Sequence, residues 1–96
     1  MFKQNKINKM PLKKKKILFK CTHMGTKELD ILLGNFVSTH INTLKKREFD
    51  YLDVILSFNE VDLFKILTKK KEIDKKMNKL FVNKIIKFNQ NFKKDI

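Results

Sequence analysis

Residues 18–36 read LFKCTHMGTKELDILLGNF and carry the clearest structural signal in the chain. Beyond Gly25, apolar side chains recur at i, i+3, i+4, i+7 and i+8, which is the spacing of one helix face. This face consists of Leu29, Leu32, Leu33, Phe36 and Val37. Gly34 lies within this helix and costs about 1 kcal/mol of helix propensity relative to alanine. We therefore expect another helix to approach closely at Gly34.

A turn between two helices is predicted around Gly25 and Glu28. Glycine adopts the left-handed backbone that often terminates a helix. A glutamate three residues after a cap can accept a hydrogen bond from the N–H of the cap residue. By itself, this Gly-x-x-Glu pattern indicates only a helix–turn–helix joint.

Four other segments also have apolar residues at helical spacing. One begins at Pro11, one after Thr43 as N-cap, one after Asn59 as N-cap, and the last near Asp74. The side chains expected to face the core are Leu12, Ile17, Leu18 and Cys21 in the first segment, Phe49, Leu52 and Leu56 with Tyr51 and Ile55 beside them in the second, Leu63, Phe64 and Leu67 in the third, and Met77, Leu80, Phe81, Ile85 and Phe88 in the last.

No segment alternates polar and apolar residues as a half-buried strand does. The expected fold class is all-α, a small bundle of four to five short helices. Residues 1–10 are expected to form a flexible basic arm, residues 11–92 a single helical domain, and residues 93–96 a tail. No run of about 20 apolar residues is present, so no membrane span is expected.

The net charge of +13 is unevenly distributed along the 96 residues. Residues 1–20 carry a charge of +8, residues 21–68 carry −2, and residues 69–96 carry +7. A basic chain is compatible with nucleic-acid binding, but Arg47 is the only arginine, and sequence-specific readers usually use several. The abundance of lysine, asparagine, isoleucine and phenylalanine is also what a coding bias toward A and T produces.

The sequence contains no recognisable catalytic or metal-binding constellation. Cys21 and His23 lack a second pair at zinc-finger spacing, and glycine occurs only at positions 25 and 34, which excludes a glycine-rich phosphate loop. His40 falls at the end of a predicted helix, where a histidine usually interacts with the helix terminus. We therefore expect a partner-binding protein without enzymatic activity, without catalytic residues and without a metal.

Together with its flanking residues, the sequence of this joint resembles the sequences of the FAD assembly factor family of succinate dehydrogenase. Its members are called SdhE in bacteria and assembly factor 2 in mitochondria. The residues that carry the resemblance are His23, Gly25, Glu28, Asp30 and the run LLGNF at 32–36. It extends over roughly residues 12–68, including FDYL at 49–52 and NEVDLF at 59–64. The family signature is Arg-Gly-x-x-Glu, and Met24 stands where that signature has arginine.

The resemblance implies an assembly factor that binds the succinate dehydrogenase flavoprotein subunit and promotes its covalent FAD attachment. The FAD and the attacking histidine then belong to the partner, and no cofactor is expected on this chain. The resemblance leaves open whether the fumarate reductase flavoprotein is a partner as well. The partner-binding residues implied are His23, Met24, Gly25, Lys27, Glu28 and Asp30.

Two other interpretations stay open: a small basic helical protein that binds nucleic acid, and a member of the family that has lost the flavinylation activity. Nucleic-acid binding is the less favoured class. The expected location is the bacterial cytoplasm, with the mitochondrial matrix as the alternative, because the basic start of the chain has little of the arginine and serine typical of a presequence.

Overall fold

The computed structural model describes residues 12–94, and the side chains of residues 12–91. Five helices occupy this range: α1 (Leu12–Thr22), α2 (residues 27–40), α3 (Lys46–Leu56), α4 (Glu60–Leu67) and α5 (Lys79–Lys94). α2 is a continuous helical run of three parts, Lys27–Leu29, a π-helical turn at Asp30–Gly34, and Asn35–His40. Residues 12–94 contain no strand, and the predicted all-α class is confirmed. The predicted arm, residues 1–10, lies outside the described residues, as do Pro11 and residues 95–96.

α2 lies at the centre of the bundle and packs against α1, α4 and α5. The whole apolar stripe predicted for it is buried, with Leu29, Leu33, Phe36 and Val37 fully inaccessible to solvent. The ring of Phe36 meets the edges of Phe81 and Phe88 from α5. α2 therefore provides the surface on which the other helices assemble.

Gly34 contacts α1 closely, as its position within an apolar helix predicts. A Cβ atom added to it would lie 2.8 Å from the backbone oxygen of Cys21. The glycine thus lets two helix backbones approach at a distance that no other residue permits. The Cys21 side chain is fully buried beside this contact, and burial raises the pKa of its thiol to about 12.

The predicted start of α3 after Thr43 is wrong by two residues. The helix begins at Lys46, and the backbone N–H of Lys45 donates to the Glu48 carboxylate at 2.7 Å. The Thr43 hydroxyl instead donates back to the His40 carbonyl at 3.1 Å, in the turn that follows α2. The carboxylate of Glu48 therefore satisfies a free N–H at the start of α3 that Thr43 was expected to cap.

The predicted start of the last helix near Asp74 is also wrong. α5 begins at Lys79, where the side-chain oxygen of Asn78 accepts from the Phe81 N–H at 2.9 Å. Asp74 accepts from the Lys76 N–H at 2.8 Å within a turn. Both residues are good caps, and the sequence alone did not distinguish a turn from a helix start. The cap predicted at Asn59 is confirmed, since it accepts from the Asp62 N–H at 2.8 Å.

Most side chains that were predicted to face the core are buried or half-buried, but Leu80 and Leu12 are 83% and 65% exposed. Leu80 lies in the first turn of α5, one position before Phe81, and the helix turns its core face toward Phe81, Val82 and Ile85. In α3 and α4 the fully packed positions include Ile55 and Ile66, while Leu56 and Phe64 are only half-buried.

None of the helices in residues 12–94 has the length and apolar character needed to cross a lipid bilayer.

Candidate functional site at the joint between α1 and α2

The joint is a short connection whose ends are fixed by local hydrogen bonds. α1 ends at Thr22, and α2 begins at Lys27 with Thr26 as its N-cap, whose hydroxyl accepts from the Leu29 N–H at 3.3 Å. Glu28 lies in the first turn of α2, as predicted, where a carboxylate is favoured by the helix dipole. The capping role that we considered for Glu28 is not observed, because the Gly25 N–H donates to the Glu60 carboxylate instead.

Glu28 is the exposed carboxylate of the joint. Within residues 12–94 its side chain makes no hydrogen bond and no ion pair. A charged group held on a helix and not engaged by its own chain is free to accept hydrogen bonds from another molecule. Glu28 therefore has the properties expected of a partner-binding residue.

Asp30 has a different environment, although it is only two residues away. Its side chain is half-buried, and its carboxylate accepts a hydrogen bond from the backbone N–H of Met24. This bond ties the joint to the first turn of α2. Met24 itself is half-buried and packs against the hydrophobic core. Asp30 and Met24 therefore shape the joint from its inner side.

Gly25 lies against the start of α4. Its backbone N–H donates to the Glu60 carboxylate at 3.0 Å, and an added Cβ atom would meet the same carboxylate at 2.8 Å. Neither glycine has a positive φ angle, so the left-handed backbone expected for Gly25 is wrong. The absence of a side chain at Gly25 instead leaves room for the Glu60 carboxylate.

His23 is exposed at the end of α1, and its ring stacks on Phe19 with the ring centroids 4.0 Å apart. The His23 Nδ1 atom lies 2.9 Å from the Phe19 carbonyl oxygen. A carbonyl only accepts, so Nδ1 carries a proton in this contact and Nε2 is the other ring nitrogen available to a partner. Phe19 is itself 61% exposed, and Lys27 is exposed at the first position of α2.

The structure brings one group to the joint that sequence reasoning missed, the first turn of α4. A surface cavity of about 320 Å3 beside the joint is lined by Thr26, Glu28, Glu60, Val61, Phe64 and Lys65. Glu60 is 35 residues away from Gly25 along the chain, and no local pattern links the two. The sequence predicted only that Asn59 caps a helix that begins at Glu60.

The joint contains side chains that can bind a partner, but no pair of a nucleophile and a base. Within residues 12–94, no three histidine, cysteine or acidic side chains are grouped so that they could hold a metal ion. The Cys21 thiol is buried and its pKa is raised to about 12, which disfavours the reactive thiolate. The chemistry available to a partner consists of a carboxylate, an imidazole, an ammonium group and exposed backbone.

Comparison with known proteins agrees with the resemblance seen in the sequence. Residues 15–89 match the family described as flavinator of succinate dehydrogenase. No curated protein and no solved structure matches the chain. The match covers most of α1, all of α2 to α4 and most of α5, including the joint and the apolar stripe of α2. The chain therefore belongs to the family of flavinators of succinate dehydrogenase, which have a role in the assembly of that enzyme.

Proposed function

We propose that this protein binds the succinate dehydrogenase flavoprotein subunit through the joint between α1 and α2 and promotes covalent FAD attachment to that subunit. The observation that carries the proposal is the exposed Glu28 carboxylate, which makes no hydrogen bond or ion pair within residues 12–94. It lies in the first turn of α2, in a chain that belongs to the flavinator family. The reacting groups belong to the partner. This chain acts as an assembly factor and contributes no catalytic residue.

Preorganisation of the joint supports this role. Three anchors hold it: the Thr26 cap, the Asp30 carboxylate on the Met24 N–H, and the Glu60 carboxylate on the Gly25 N–H. A surface that is ordered before binding loses less conformational entropy on association. A rigid binding surface also transmits the binding energy into a defined arrangement of the partner, and orientation alone lowers reaction barriers by several kcal/mol.

The six residues implied by the resemblance have distinct roles in this proposal. Glu28 accepts hydrogen bonds from the flavoprotein, and the exposed His23 and Lys27 flank it. Gly25 keeps the backbone accessible, while Asp30 and Met24 set the shape of the joint from within. Met24 provides no guanidinium, so the contact made by arginine in the family signature falls to His23 or Lys27 here.

The test of the proposal is co-expression of the flavoprotein with and without this chain, followed by flavin fluorescence of the flavoprotein band in a denaturing gel. The chain should raise the labelled fraction. Glu28→Gln should reduce that gain by roughly tenfold, which corresponds to the loss of one charge-assisted contact. Equal labelling with and without the wild-type chain would remove the proposed function.

The matched control is Glu72→Gln. Glu72 is also an exposed glutamate whose side chain makes no hydrogen bond or ion pair within residues 12–94, but it lies in the connection between α4 and α5. Each substitution removes one negative charge, so general electrostatic effects are the same for the two variants. Labelling should fall for Glu28→Gln and stay at the wild-type level for Glu72→Gln.

A further inference from the structure

We propose that the start of α4 forms the second half of the docking surface and receives an apolar side chain of the flavoprotein that is flanked by arginine or lysine. The surface consists of Glu60, Val61 and Phe64 of α4 together with Glu28 of α2, and we call it the α4 patch. The inference rests on the proposed function, since it identifies further contact residues and the chemistry of the partner segment.

The apolar part of the α4 patch is Val61 and Phe64. Val61 is 65% exposed at the second position of α4, and Phe64, one turn later on the same face, is half-buried. Together with Thr26 they line the cavity of about 320 Å3 beside the joint, a space of roughly ten water volumes. A bulky apolar side chain of a partner fills such a space and removes Val61 from water.

The charge of the α4 patch determines what surrounds that side chain. Glu28 and Glu60 border the cavity, and within residues 12–94 neither has a lysine or arginine nitrogen within ion-pair distance. Lys65 also borders the cavity without pairing with them. In contrast, the acids that form ion pairs are Glu48, Asp50, Asp53 and Asp62. Two unpaired carboxylates in a chain of net charge +13 favour a cationic partner segment.

The α4 patch is continuous with the joint. One oxygen of the Glu60 carboxylate accepts from the Gly25 N–H, which joins the two halves of the surface. A carboxylate has about four acceptor sites, so Glu60 retains acceptor capacity for a guanidinium or ammonium group of the partner. A partner that contacts Glu28 from outside therefore also reaches Val61.

Leu80 provides a matched control for Val61. Each is an exposed apolar residue at the second position of its helix, and Leu80 is 83% exposed. Leu80 borders a different cavity, whose charged lining of Lys45, Arg47, Lys84 and Glu48 has a net positive charge. A partner segment with positive charge is repelled there, so Leu80 meets the apolar criterion for this partner but not the electrostatic one.

The experiment is titration of the purified flavoprotein subunit against Val61→Arg and Leu80→Arg variants of the full chain. Val61→Arg should weaken binding by about tenfold or more, because it removes the apolar contact and neutralises the neighbouring carboxylates. Leu80→Arg should bind like the wild type. Circular dichroism and thermal unfolding check that both variants are folded, and Val61→Ser, which adds no charge, should weaken binding by a smaller factor.

The charge requirement has a separate test in Glu60→Gln. Glutamine keeps an acceptor for the Gly25 N–H but removes the negative charge, so the association rate should depend less steeply on salt than in the wild type. Wild-type affinity of Val61→Arg, or equal weakening by Val61→Arg and Leu80→Arg, overturns the α4 patch while the proposed function stands. Absence of binding by the wild-type chain overturns both.

Discussion

Gly34 and Gly25 show that the same residue type has a packing role in one region and a surface role in another. A Cβ atom at Gly34 would lie 2.8 Å from the Cys21 backbone oxygen, and one at Gly25 would lie 2.8 Å from the Glu60 side chain. The distances are equal, but the helix backbone near Gly34 cannot move aside, whereas the half-buried Glu60 side chain can rotate away from Gly25. Gly34 therefore maintains the packing of α1 on α2, while Gly25 leaves room for an interaction at the surface.

The largest expected effect that tests this comparison is on stability. Gly34→Ala should lower the free energy of unfolding by about 1–3 kcal/mol, because α1 must shift to admit the methyl group, and this outweighs the gain in helix propensity. Gly25→Ala should change it by less than about 0.5 kcal/mol. Urea unfolding followed by circular dichroism measures both. Equal stability of the two variants would contradict the distinction.

Cys21 gives an independent measure of the same contact. Its thiol is buried, so it should react slowly with a thiol reagent in the wild type and in Gly25→Ala. Gly34→Ala should react faster, because loosening the contact between α1 and α2 exposes the sulfur more often. Unchanged protection in Gly34→Ala would mean that the methyl group is accommodated without opening the contact.

The same comparison shows what the sequence predicts well. Close approach at Gly34 was predicted because a glycine inside an apolar helical stripe has a local cost that packing compensates. The stripe from Leu29 to Val37 and the Asn59 cap were predicted for similarly local reasons. In each case the relevant residues are neighbours along one helix.

What was missed depends on contacts between distant segments or on a choice between equivalent local signals. The Glu60 carboxylate beside Gly25 comes from another helix, so its presence at the joint could be seen only in the packed structure.

Thr43 and Asp74 are good caps that lie in turns, because Glu48 and Asn78 cap the adjacent helices instead. Leu80 is apolar and adjacent to the core face of α5, but the phase of the helix exposes it.

The two acids of the joint give a second, smaller test of the distinction between packing and surface. Asp30→Ala should lower the free energy of unfolding by about 1–2 kcal/mol, because the Met24 N–H loses its charged acceptor in a half-buried place. Glu28→Ala should have an effect within about 0.5 kcal/mol, because no described residue depends on its side chain. Thermal unfolding monitored by circular dichroism compares them. If Glu28→Ala were the more destabilising variant, the assignment of Glu28 to partner binding would lose its support.

The smallest expected effect is the acid dependence of stability. Hydrogen bonds from Lys13 and Lys71, reinforced by their charges, lower the pKa of Asp50 and Asp62 respectively. For Glu48, partial burial raises the pKa, but the Lys45 N–H and Lys84 outweigh it and the net shift is downward. Because each folded-state pKa lies below its unfolded value, the stabilisation is present near neutral pH. It is lost as the pH falls below about 4.

Measurements in acid therefore separate two contributions to the free energy of unfolding, that of the surface ion pairs and that of the contact between α1 and α2. The contact at Gly34 involves backbone and no carboxylate, so the stability difference between wild type and Gly34→Ala should be the same at pH 7 and at about pH 3. Both proteins should lose a small, equal amount of stability over this range, since the pairs concerned are largely exposed. Urea unfolding at several pH values measures this. A difference that shrank in acid would show that the methyl group at Gly34 also disturbs the surface ion pairs, and the two regions would then be coupled.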